Sequence, residues 1–484
     1  MNEAGVCTVW KPDRQSLLPL YLQISEHLQE RIAGGEFPPG SPLPSERKLA
    51  RQFGVNRSTA VQAYAELRSH GFIESIPGSK TIVGSVHSAA AESRTPEWHR
   101  YAESGSFLPN LPFLRLIRDN LARDPSIIDF ASGKLSVDLS PDREIGQIMR
   151  SLPYPPEEGY DGGQGFPPLR KALAEFLGSH RNIRTTEASV LITSGSQQSL
   201  YLITQCLLSP GDAVAVETPS FTRSLSMFQS AGLRLYRLPV DERGVDPEGI
   251  RTLHRNHRIK MIFVNPNYQN PTGTVLDPGR RSRLLETASE LGLPVVEDDP
   301  HSLTADDAPL PLKAEDAASN TLYIGSFSKI AAAGLRIGWI VAPQSVIRRL
   351  TDARRQMDLG FSVIPQQIAA RFISSPQFAP HIERLRQQLI YKRDLMAEAL
   401  EREVPELVRF SLPEGGLHLW CKINASVNDS RLLDEALGRG VAFVPGSLYG
   451  AEAGYMRLTY ARPNVEEIDL GIARLAEAIR SVAE

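Results

Sequence analysis

The sequence contains little cysteine. Three cysteines occur in 484 residues, Cys7, Cys206 and Cys421. Their odd number and wide spacing exclude a disulfide framework, and no two have the close spacing of a cysteine zinc site. Such usage is typical of proteins in a reducing compartment, so we expect a cytoplasmic protein without a metal.

The sequence also has no long apolar run, and no signal peptide is predicted. No apolar run reaches the length needed to cross a bilayer, so no membrane partner is expected. The first residues, Met1-Asn-Glu-Ala-Gly5, lack the basic and then apolar order of a signal peptide. The net charge is only -3, so the overall charge does not indicate nucleic acid. The length predicts more than one domain.

Residues 15–84 begin with three predicted helices. The first has an apolar residue at every fourth position, namely Leu20, Ile24, Leu28 and Ile32. Ser45 is predicted to cap a second helix over 46–53, and Asn56 a third over 57–67. Three residues of the third helix are predicted to face inward: Val61, Tyr64 and Leu67.

A two-stranded hairpin is predicted over 72–83, after the third helix. This order of elements is that of a winged helix-turn-helix, in which the second helix of the turn and the hairpin tip contact DNA. The predicted DNA-binding residues are Ser45, Arg47, Asn56, Arg57, Ser58, Thr59, Gly78 and Lys80. The alternative is a small interaction domain with ordinary solvated charges.

Several stretches of this region resemble the GntR-type winged-helix family. They are Leu43-Pro-Ser-Glu-Arg-Lys-Leu-Ala50, Gly54-Val-Asn-Arg-Ser-Thr59, Gly71-Phe-Ile-Glu74 and the turn at Gly78. The resemblance implies that residues 15–84 bind operator DNA. The sequence departs from the family at the wing tip, where Pro77-Gly-Ser-Lys80 replaces a turn of smaller residues.

A linker is predicted over 85–125, because residues 85–96 are small, polar and aperiodic. From 126 to 484, short apolar runs alternate with helical patterns, which predicts an α/β domain with a mostly parallel sheet. The predicted strands are 190–193, 213–217, 260–264, 294–297, 322–325 and 337–341. Such sheets bind ligands at the carboxyl ends of their strands.

The functional interpretation depends first on the run Leu322-Tyr-Ile-Gly-Ser-Phe-Ser-Lys329. Low dielectric at the end of a buried strand favours the neutral lysine amine, which attacks an aldehyde to form a Schiff base. Ser326, Ser328 and Arg336 are placed to hold a phosphate beside it. The alternative is a strand-ending lysine that reaches solvent along its stem.

Other candidate ligand-binding residues follow predicted strands. Gly195, Ser196 and Gln197 open a helix, and the free N–H groups of a helix start bind anions. Phe221 is placed either to stack on a heterocycle or to lie in the core. Asn270 lies in a compact turn, where its amide can donate to a ring hydroxyl.

Charged residues supply the last two candidate features. The strand at 294–297 leads into three consecutive acids, of which Asp298 can pair with a protonated pyridine nitrogen. The alternative is that all three acids point into solvent. Arg457, on a late predicted strand, can bind an amino acid's carboxylate bidentately, or it is a surface arginine of an edge strand.

The order of these residues along the chain resembles the fold type I aminotransferases over essentially all of 126–484. The resemblance implies a pyridoxal 5′-phosphate cofactor and a smaller C-terminal subdomain from about residue 370. It implies that Lys329 carries the Schiff base (the internal aldimine), that Asp298 pairs with the pyridine nitrogen and that Asn270 lies at the ring hydroxyl. The other implied cofactor contacts are Phe221 on the ring, and Ser196, Gln197, Ser326 and Arg336 on the phosphate.

The same resemblance has three further implications. Tyr160 would reach the phosphate from a second subunit, Arg457 would bind a substrate or effector carboxylate, and the Asn270–Pro271 bond would be cis. The sequence departs from the family at His301, where a tyrosine near the ring hydroxyl is usual. An imidazole can still donate a hydrogen bond at that position.

A GntR-type head joined to an aminotransferase-like body resembles the MocR-type transcription regulators. This resemblance covers the whole chain and implies a head-to-tail homodimer that binds pyridoxal phosphate, operator DNA and an amino acid or amine effector. Two alternatives stay open, a working aminotransferase with an accessory head and a DNA binder whose body is only a dimerisation scaffold. Lys329, Asp298 and Arg336 argue against the scaffold, and His301 favours the sensor, since a sensor needs exchange of amines but no turnover.

Overall fold

The structure, a computed structural model, describes residues 10–16, 18–75, 81–84, 98, 101, 104–153 and 162–483. The chain divides into two compact units, Met1–Ser106 and Phe107–Glu484, which we call the head and the body. Within the described residues, no helix combines the length and apolar character needed to span a membrane.

The head contains three helices and a two-stranded antiparallel sheet. Its elements are α1 (Leu20–Ala33), α2 (Glu46–Phe53), α3 (Arg57–Ser69), β1 (Ile73–Ser75) and β2 (Thr81–Val83). β1 and β2 pair with Ile73 opposite Val83. The predicted winged-helix order is therefore confirmed, while the predicted hairpin turn with Gly78 and Lys80 lies outside the described residues.

The helix caps and the buried face of α3 differ in part from the prediction. Ser45 caps α2 as predicted, since its side chain accepts a hydrogen bond from the Lys48 N–H. Asn56 stands at the start of α3, but its side chain makes no capping hydrogen bond. Val61 is 39 % exposed, so its predicted inward position is wrong. The buried residues of α3 are Ala60, Ala63, Tyr64 and Leu67.

The body contains the remaining helices and strands. Its helices are α4 (Pro112–Arg123), α5 (Asp142–Ser151), α6 (Pro167–Arg181), α7 (Ser196–Leu207), α8 (Met227–Ser230), α9 (Gly249–His257), α10 (Pro278–Leu291), α11 (Leu312–Glu315), α12 (Gln344–Met357), α13 (Val363–Ile373), α14 (Phe378–Glu403), α15 (Asp429–Gly438) and α16 (Val465–Ala483). Its strands are β3 (Ile128–Asp129), β4 (Val190–Thr193), β5 (Ala213–Thr218), β6 (Arg234–Asp241), β7 (Gly244–Val245), β8 (Met261–Val264), β9 (Val295–Asp298), β10 (Thr321–Ser326), β11 (Gly338–Val341), β12 (Val408–Phe410), β13 (His418–Ile423), β14 (Val441–Ala442), β15 (Val444–Pro445) and β16 (Tyr455–Thr459).

The large sheet of the body has the order β4-β11-β10-β9-β8-β5-β6-β7. Strands β10, β9, β8, β5 and β6 are parallel to their neighbours in this run, and β11 is antiparallel to both β10 and β4. All strands except β11 and β7 therefore run in one direction. Their carboxyl ends lie along one edge, as the predicted α/β fold requires.

The six predicted strands occur in this sheet, each within about one residue of its predicted bounds. They were recognisable because their residues are buried on both faces, which gives continuous apolar runs. β6 was not predicted, since only Leu238 of its residues is fully buried and the strand therefore lacks a continuous apolar run.

A second, antiparallel sheet has the order β12-β13-β16-β15, and β14 pairs in parallel with β3. Helices α14 to α16 and this sheet form the C-terminal part of the body. β16 lies between β13 and β15, so it is an interior strand. Arg457 on β16 is therefore not on a sheet edge.

Candidate functional site

A cavity of about 800 Å³ lies at the carboxyl ends of the parallel strands. Helix α4 forms one wall, and α7 begins at its edge. Most of the predicted cofactor and effector residues line it: Gly195, Ser196, Gln197, Phe221, Asn270, Asp298, His301, Ser328, Lys329, Arg336 and Arg457. Ser326 is not among the lining residues and lies behind the cavity wall. The prediction for Tyr160 falls outside the described residues.

Lys329 follows β10 directly and its amine lies inside the cavity. Its Nζ donates a hydrogen bond to the carbonyl oxygen of Gly133. Burial, with the nearby Arg457, lowers the pKa of the Lys329 amine to about 8, and Asp298 acts in the opposite direction. The Lys329 amine therefore lies in the cavity rather than extending away from the protein, and burial favours its neutral form relative to an ordinary lysine.

The three consecutive acids at the end of β9 do not point into solvent. Glu297 is fully buried and accepts hydrogen bonds from the backbone N–H groups of Leu312 (2.7 Å) and Lys313 (2.9 Å). Asp299 accepts hydrogen bonds from the hydroxyls of Tyr323 and Ser302. These two side chains are therefore satisfied within the protein.

Asp298 is the acid that remains open to the cavity. Its Oδ1 is buried and has no hydrogen-bond partner among the described residues. Burial, with the neighbouring Asp299, raises the pKa of the Asp298 carboxyl to about 7. A buried acceptor without a partner carries an unfavourable free energy, which a donor such as a pyridinium N–H would relieve.

An anion-binding corner lies where β4 leads into α7. Gly195 has a φ of 113°, and a Cβ at this position would lie 2.8 Å from Arg336 Nη2. α7 begins with Ser196, so its first N–H groups have no intrahelical acceptor. Arg336 donates to the Ser194 carbonyl at 2.6 Å, which holds its guanidinium beside the helix start. Together these groups suit a phosphate.

Ser326 does not join this corner. Its hydroxyl accepts a hydrogen bond from the Ser328 N–H and donates one to the Ile337 carbonyl. As the last residue of β10, Ser326 points to the face opposite the cavity, whereas Ser328 in the following turn lines it. The predicted phosphate contact of Ser326 is not supported by this geometry.

Arg457 is 5 % exposed and extends into the cavity from β16. Its Nη1 donates to Asn270 Oδ1 at 3.1 Å, and its Nη2 donates to the Ala131 carbonyl. Its Nε is buried without a hydrogen-bond partner, and no carboxylate among the described residues forms an ion pair with it. A buried guanidinium in this state favours a carboxylate ligand.

The Arg457 contact also fixes the orientation of Asn270. Because the Asn270 amide oxygen accepts a hydrogen bond from Arg457, the NH₂ group of Asn270 is the part of the amide that can bind a ligand, as a donor. The Asn270 backbone carbonyl accepts from the Phe221 N–H at 2.8 Å, so Phe221 and Asn270 are held together. The bond between Asn270 and Pro271 is cis, as predicted.

Gly133 and His418 belong to the site but were not predicted from the sequence. A Cβ on Gly133 would lie 3.1 Å from Lys329 Nζ and 3.5 Å from His418 Cε1, so all three residues meet at one point. His418 is buried on β13, with Nδ1 2.8 Å from Thr459 Oγ1. The only sequence signal was the small-residue pair Ser132-Gly133 after residues 127–131, four of which are apolar, and such a pattern is common in proteins.

A buried glutamate in the same cavity makes the stability of the body depend on pH. Glu217 is 2 % exposed, and burial raises the pKa of its carboxyl to about 8. The folded state therefore keeps a proton that the unfolded state loses above about pH 4.5. The stabilisation is complete below that pH and is lost as the pH rises towards 8.

We expect Glu217→Gln to remove this loss, because glutamine does not ionise. Between pH 6 and pH 9, the unfolding free energy of the variant should rise relative to that of the parent by an amount on the order of a few kcal/mol. The measurement is the melting temperature of both proteins across this pH range. Glu242→Gln, at an exposed turn, is the matched control. Equal pH dependence of Glu217→Gln and the parent protein would contradict the assignment.

In the head, the predicted DNA-binding residues form an exposed polar surface around the start of α3. Ser45, Arg47, Asn56, Arg57 and Ser58 are exposed, and Thr59 is partly buried. The Arg57 guanidinium lies 3.5 Å from the Glu46 carboxylate, with 60 % of its side chain exposed. An exposed pair of this kind is weak and leaves Arg57 free to bind another anion.

Two family models match the chain. "Aminotransferase class I and II" matches residues 125–475, and "Bacterial regulatory proteins, gntR family" matches residues 20–83. The head and the body together define a DNA-binding regulator of the GntR family with an aminotransferase-like body. The chain belongs to the MocR type of these regulators.

Curated relatives and a solved structure agree with both halves of this assignment. The uncharacterized HTH-type transcriptional regulator YdfD of Bacillus subtilis is 37% identical over 471 residues, which are 96% of this chain and 97% of that protein. Aromatic-amino-acid aminotransferase 1 of Thermococcus litoralis is 33% identical over 373 residues, 74% of this chain and 89% of that one. The crystal structure of Pyrococcus horikoshii kynurenine aminotransferase in complex with PMP covers 80% of this chain and 98% of its own, with 31% identity and a TM-score of 0.74.

The cofactor of this fold is pyridoxal 5′-phosphate, and the cavity fits it. The unpartnered Asp298 Oδ1, the corner at Gly195 and the buried Lys329 amine match the pyridine nitrogen, the phosphate and the aldehyde in chemical character. The Asn270 amide presents a donor in the same cavity.

Proposed function

We propose that this regulator senses pyridoxal phosphate, alone or with an amino acid or amine, and that ligand binding in the body alters operator binding by the heads. The observation that carries the proposal is one cavity that contains a lysine of lowered pKa, an acid with one oxygen lacking a partner and a buried arginine without an ion pair among the described residues, on a chain that also has a GntR-family head. A DNA-binding regulator acts where the chromosome is, so we place it in the cytoplasm.

In this proposal each cavity residue has a definite task. Pyridoxal phosphate, when bound, supplies an aldehyde that condenses with amines and a ring that withdraws electrons. Lys329 provides the neutral amine, and the burial that lowers its pKa keeps that form available. Asp298 holds the pyridine nitrogen protonated. Ser196 and Arg336 bind the phosphate, with Gln197 and Ser328 beside them.

Arg457 then selects ligands that carry a carboxylate next to the amine. Its Nε and the outer edge of the guanidinium face a carboxylate, while its contact with Asn270 keeps it in place. Phe221, held by its backbone contact with Asn270, covers the ring. The Gly133 carbonyl oxygen accepts a hydrogen bond from the Lys329 amine and would hold that amine in place while an amino compound occupies the site.

The coupling to DNA rests on a homodimer, which we infer from the family and propose to be head-to-tail. In that arrangement Tyr160 reaches the phosphate held by the other subunit. Two heads on one dimer bind two half-sites, so a change in the body that alters the spacing of the heads alters operator affinity. The relationship is reciprocal, and operator DNA must change effector affinity by the same factor.

A second function, aminotransferase turnover, is favoured by the 33% identity to an aminotransferase and by the presence of Lys329 and Asp298.

One experiment separates the sensor from the aminotransferase. Purified protein is titrated with pyridoxal phosphate and then with amino acids while absorbance and DNA binding are followed together, and keto-acid product is measured in parallel. A ligand-dependent change in operator affinity without product supports the sensor, and steady product formation with unchanged operator affinity supports the enzyme.

Arg57 and Arg47 are expected to contribute differently to DNA binding. Arg57 is at the N-terminus of α3, which enters the major groove in winged helices, whereas Arg47 on α2 reaches only the phosphates. Arg57→Ala should cost about 1–3 kcal/mol and relax specificity at one base position. Arg47→Ala should weaken binding to all sequences alike. Arg68→Ala, exposed at the far end of α3, is the control.

Footprinting on the region upstream of the protein's own coding sequence provides the measurement. Half-turn insertions between the half-sites place them on opposite faces of the helix, so binding by the dimer should fall sharply and recover with a full turn. Binding that ignores a half-turn insertion, or that keeps full specificity in Arg57→Ala, would show that the heads do not read DNA in this way.

A further inference from the structure

His301 lines the cofactor cavity, and one of its ring nitrogens has no hydrogen-bond partner among the described residues. Its Nδ1 lies 3.0 Å from the Tyr268 carbonyl oxygen, which can only accept, so Nδ1 carries the proton. Its Nε2 is buried and has no hydrogen-bond partner among the described residues. In a neutral imidazole protonated at Nδ1, Nε2 is an acceptor. The donor role that the sequence indicated for His301 is therefore not available to this tautomer.

The surroundings keep the imidazole neutral and in place. Burial, followed by the charges of Lys329 and Arg457, lowers the pKa of His301 to about 3. The Thr304 hydroxyl donates to the His301 carbonyl at 2.6 Å, and the His418 ring packs edge-on at 5.8 Å. Tyr268, whose carbonyl fixes the tautomer, has a left-handed φ of 52°.

The bonding pattern of pyridoxal phosphate indicates which part of the cofactor meets this nitrogen. In that molecule the ring hydroxyl and the phosphate-bearing carbon flank the carbon that carries the aldehyde. With the aldehyde at Lys329 and the phosphate at Ser196 and Arg336, the hydroxyl lies on the other side of Lys329. This step rests on the proposed function. We place His301 on that side because it lines the cavity and its ring packs edge-on against His418. His418 in turn meets Lys329 at Gly133, where an added Cβ would lie 3.1 Å from Lys329 Nζ and 3.5 Å from His418 Cε1.

We propose that His301 Nε2 accepts a hydrogen bond from the ring hydroxyl of the bound cofactor and thereby keeps that hydroxyl protonated. The proton stays on the oxygen, and no covalent bond forms or breaks. A tyrosine at this position would donate instead and stabilise the ionised oxygen. Asn270, whose NH₂ is a donor, lies in the same cavity and favours the ionised oxygen. His301 therefore shifts the balance between the two protonation states.

The absorbance of the cofactor-loaded protein reports that balance without any turnover. A pyridoxal Schiff base with a protonated hydroxyl absorbs in the near ultraviolet, and one with an ionised oxygen absorbs in the visible. The near-ultraviolet band should dominate in the full-length protein at neutral pH. His301→Tyr should raise the ratio of visible to near-ultraviolet absorbance about tenfold, the size expected for one charge-assisted hydrogen bond.

Two further variants keep the test decisive. His301→Phe removes the acceptor without adding a donor, so the ratio should move in the same direction by a smaller factor, and this result stands even if His301→Tyr does not fold. His180→Gln, at an exposed position on α6, should leave the ratio unchanged. Nitrogen-15 NMR of labelled histidine should show a signal of a neutral Nδ1–H tautomer that is lost in His301→Phe.

The outcomes separate this inference from the proposed function. A visible band that dominates in the parent protein, or a ratio unchanged in both His301 variants, overturns the inference while leaving cofactor binding intact. Borohydride treatment that traps no cofactor on the parent protein would count against the proposed function itself. Trapped cofactor with a dominant near-ultraviolet band and a ratio raised in His301→Tyr supports both.

Discussion

Lys329→Ala should abolish covalent attachment of pyridoxal phosphate. Among the described residues, two lysines line the cavity, Lys134 and Lys329. The Lys329 amine is held at the Gly133 carbonyl, whereas Lys134 is exposed. Without Lys329, the only lysine of the described residues that still lines the cavity is Lys134, which is exposed and lacks the hydrogen bond that holds the Lys329 amine at Gly133. Borohydride reduction followed by mass spectrometry should find no trapped cofactor, against nearly complete labelling of the parent protein.

The control for this result is Lys171→Ala, an exposed lysine of α6, which should label like the parent protein. Reversible binding of the phosphate should survive in Lys329→Ala, since the corner formed by Gly195, Ser196 and Arg336 is untouched. Covalently trapped cofactor in Lys329→Ala, located on any other lysine, would refute the assignment.

Arg457→Ala should leave the cofactor band in place and greatly reduce the spectral response to amino acids. The guanidinium is buried, and hydrogen bonds between ionised groups in such a place are worth roughly 1.5–3 kcal/mol each. Loss of the arginine should therefore weaken amino acid binding by at least about tenfold to a hundredfold. Arg457→Lys should recover little, because it keeps the charge but not the planar fork.

Two comparisons test whether the effect comes from the carboxylate contact. An amine without a carboxylate should bind the parent protein and Arg457→Ala with equal affinity. Arg462→Ala removes another guanidinium from the cavity lining, but one already paired with Asp129 at 3.5 Å, so its effect should stay below about threefold. Amino acids that still shift the spectrum of Arg457→Ala with unchanged affinity would show that the carboxylate binds elsewhere.

Some of the site was predictable from the sequence because parallel strands bring their carboxyl ends to one edge. Asp298 and Lys329 each follow a buried apolar run, so their meeting in space follows from the fold class alone. His418 could not be placed in this way. It is contributed by the antiparallel sheet of the C-terminal part, and its position opposite Thr459 depends on a strand register that no local pattern records.

The errors also have physical causes. Ser326 and Ser328 look equivalent in the sequence, but one ends a strand and the other lies in a turn, so they face opposite sides. Val61 is more apolar than Ala60, yet the alanine is buried, because Ala60 lies on the same helix face as Tyr64 and Leu67 and Val61 lies one position round the helix from it. The tautomer of His301 depends on the Tyr268 carbonyl, a backbone atom 33 positions away along the chain.

The hydrogen bond from Arg457 to the Ala131 carbonyl joins residues 326 positions apart. During synthesis the N-terminal domains of a chain emerge and fold first. The head is thus complete long before β16 leaves the ribosome, and the effector site is among the last parts of the body to form. For an interval, each new chain carries a finished DNA-binding head and an unfinished body, so the regulation of DNA binding that we propose begins only once the body has formed this contact.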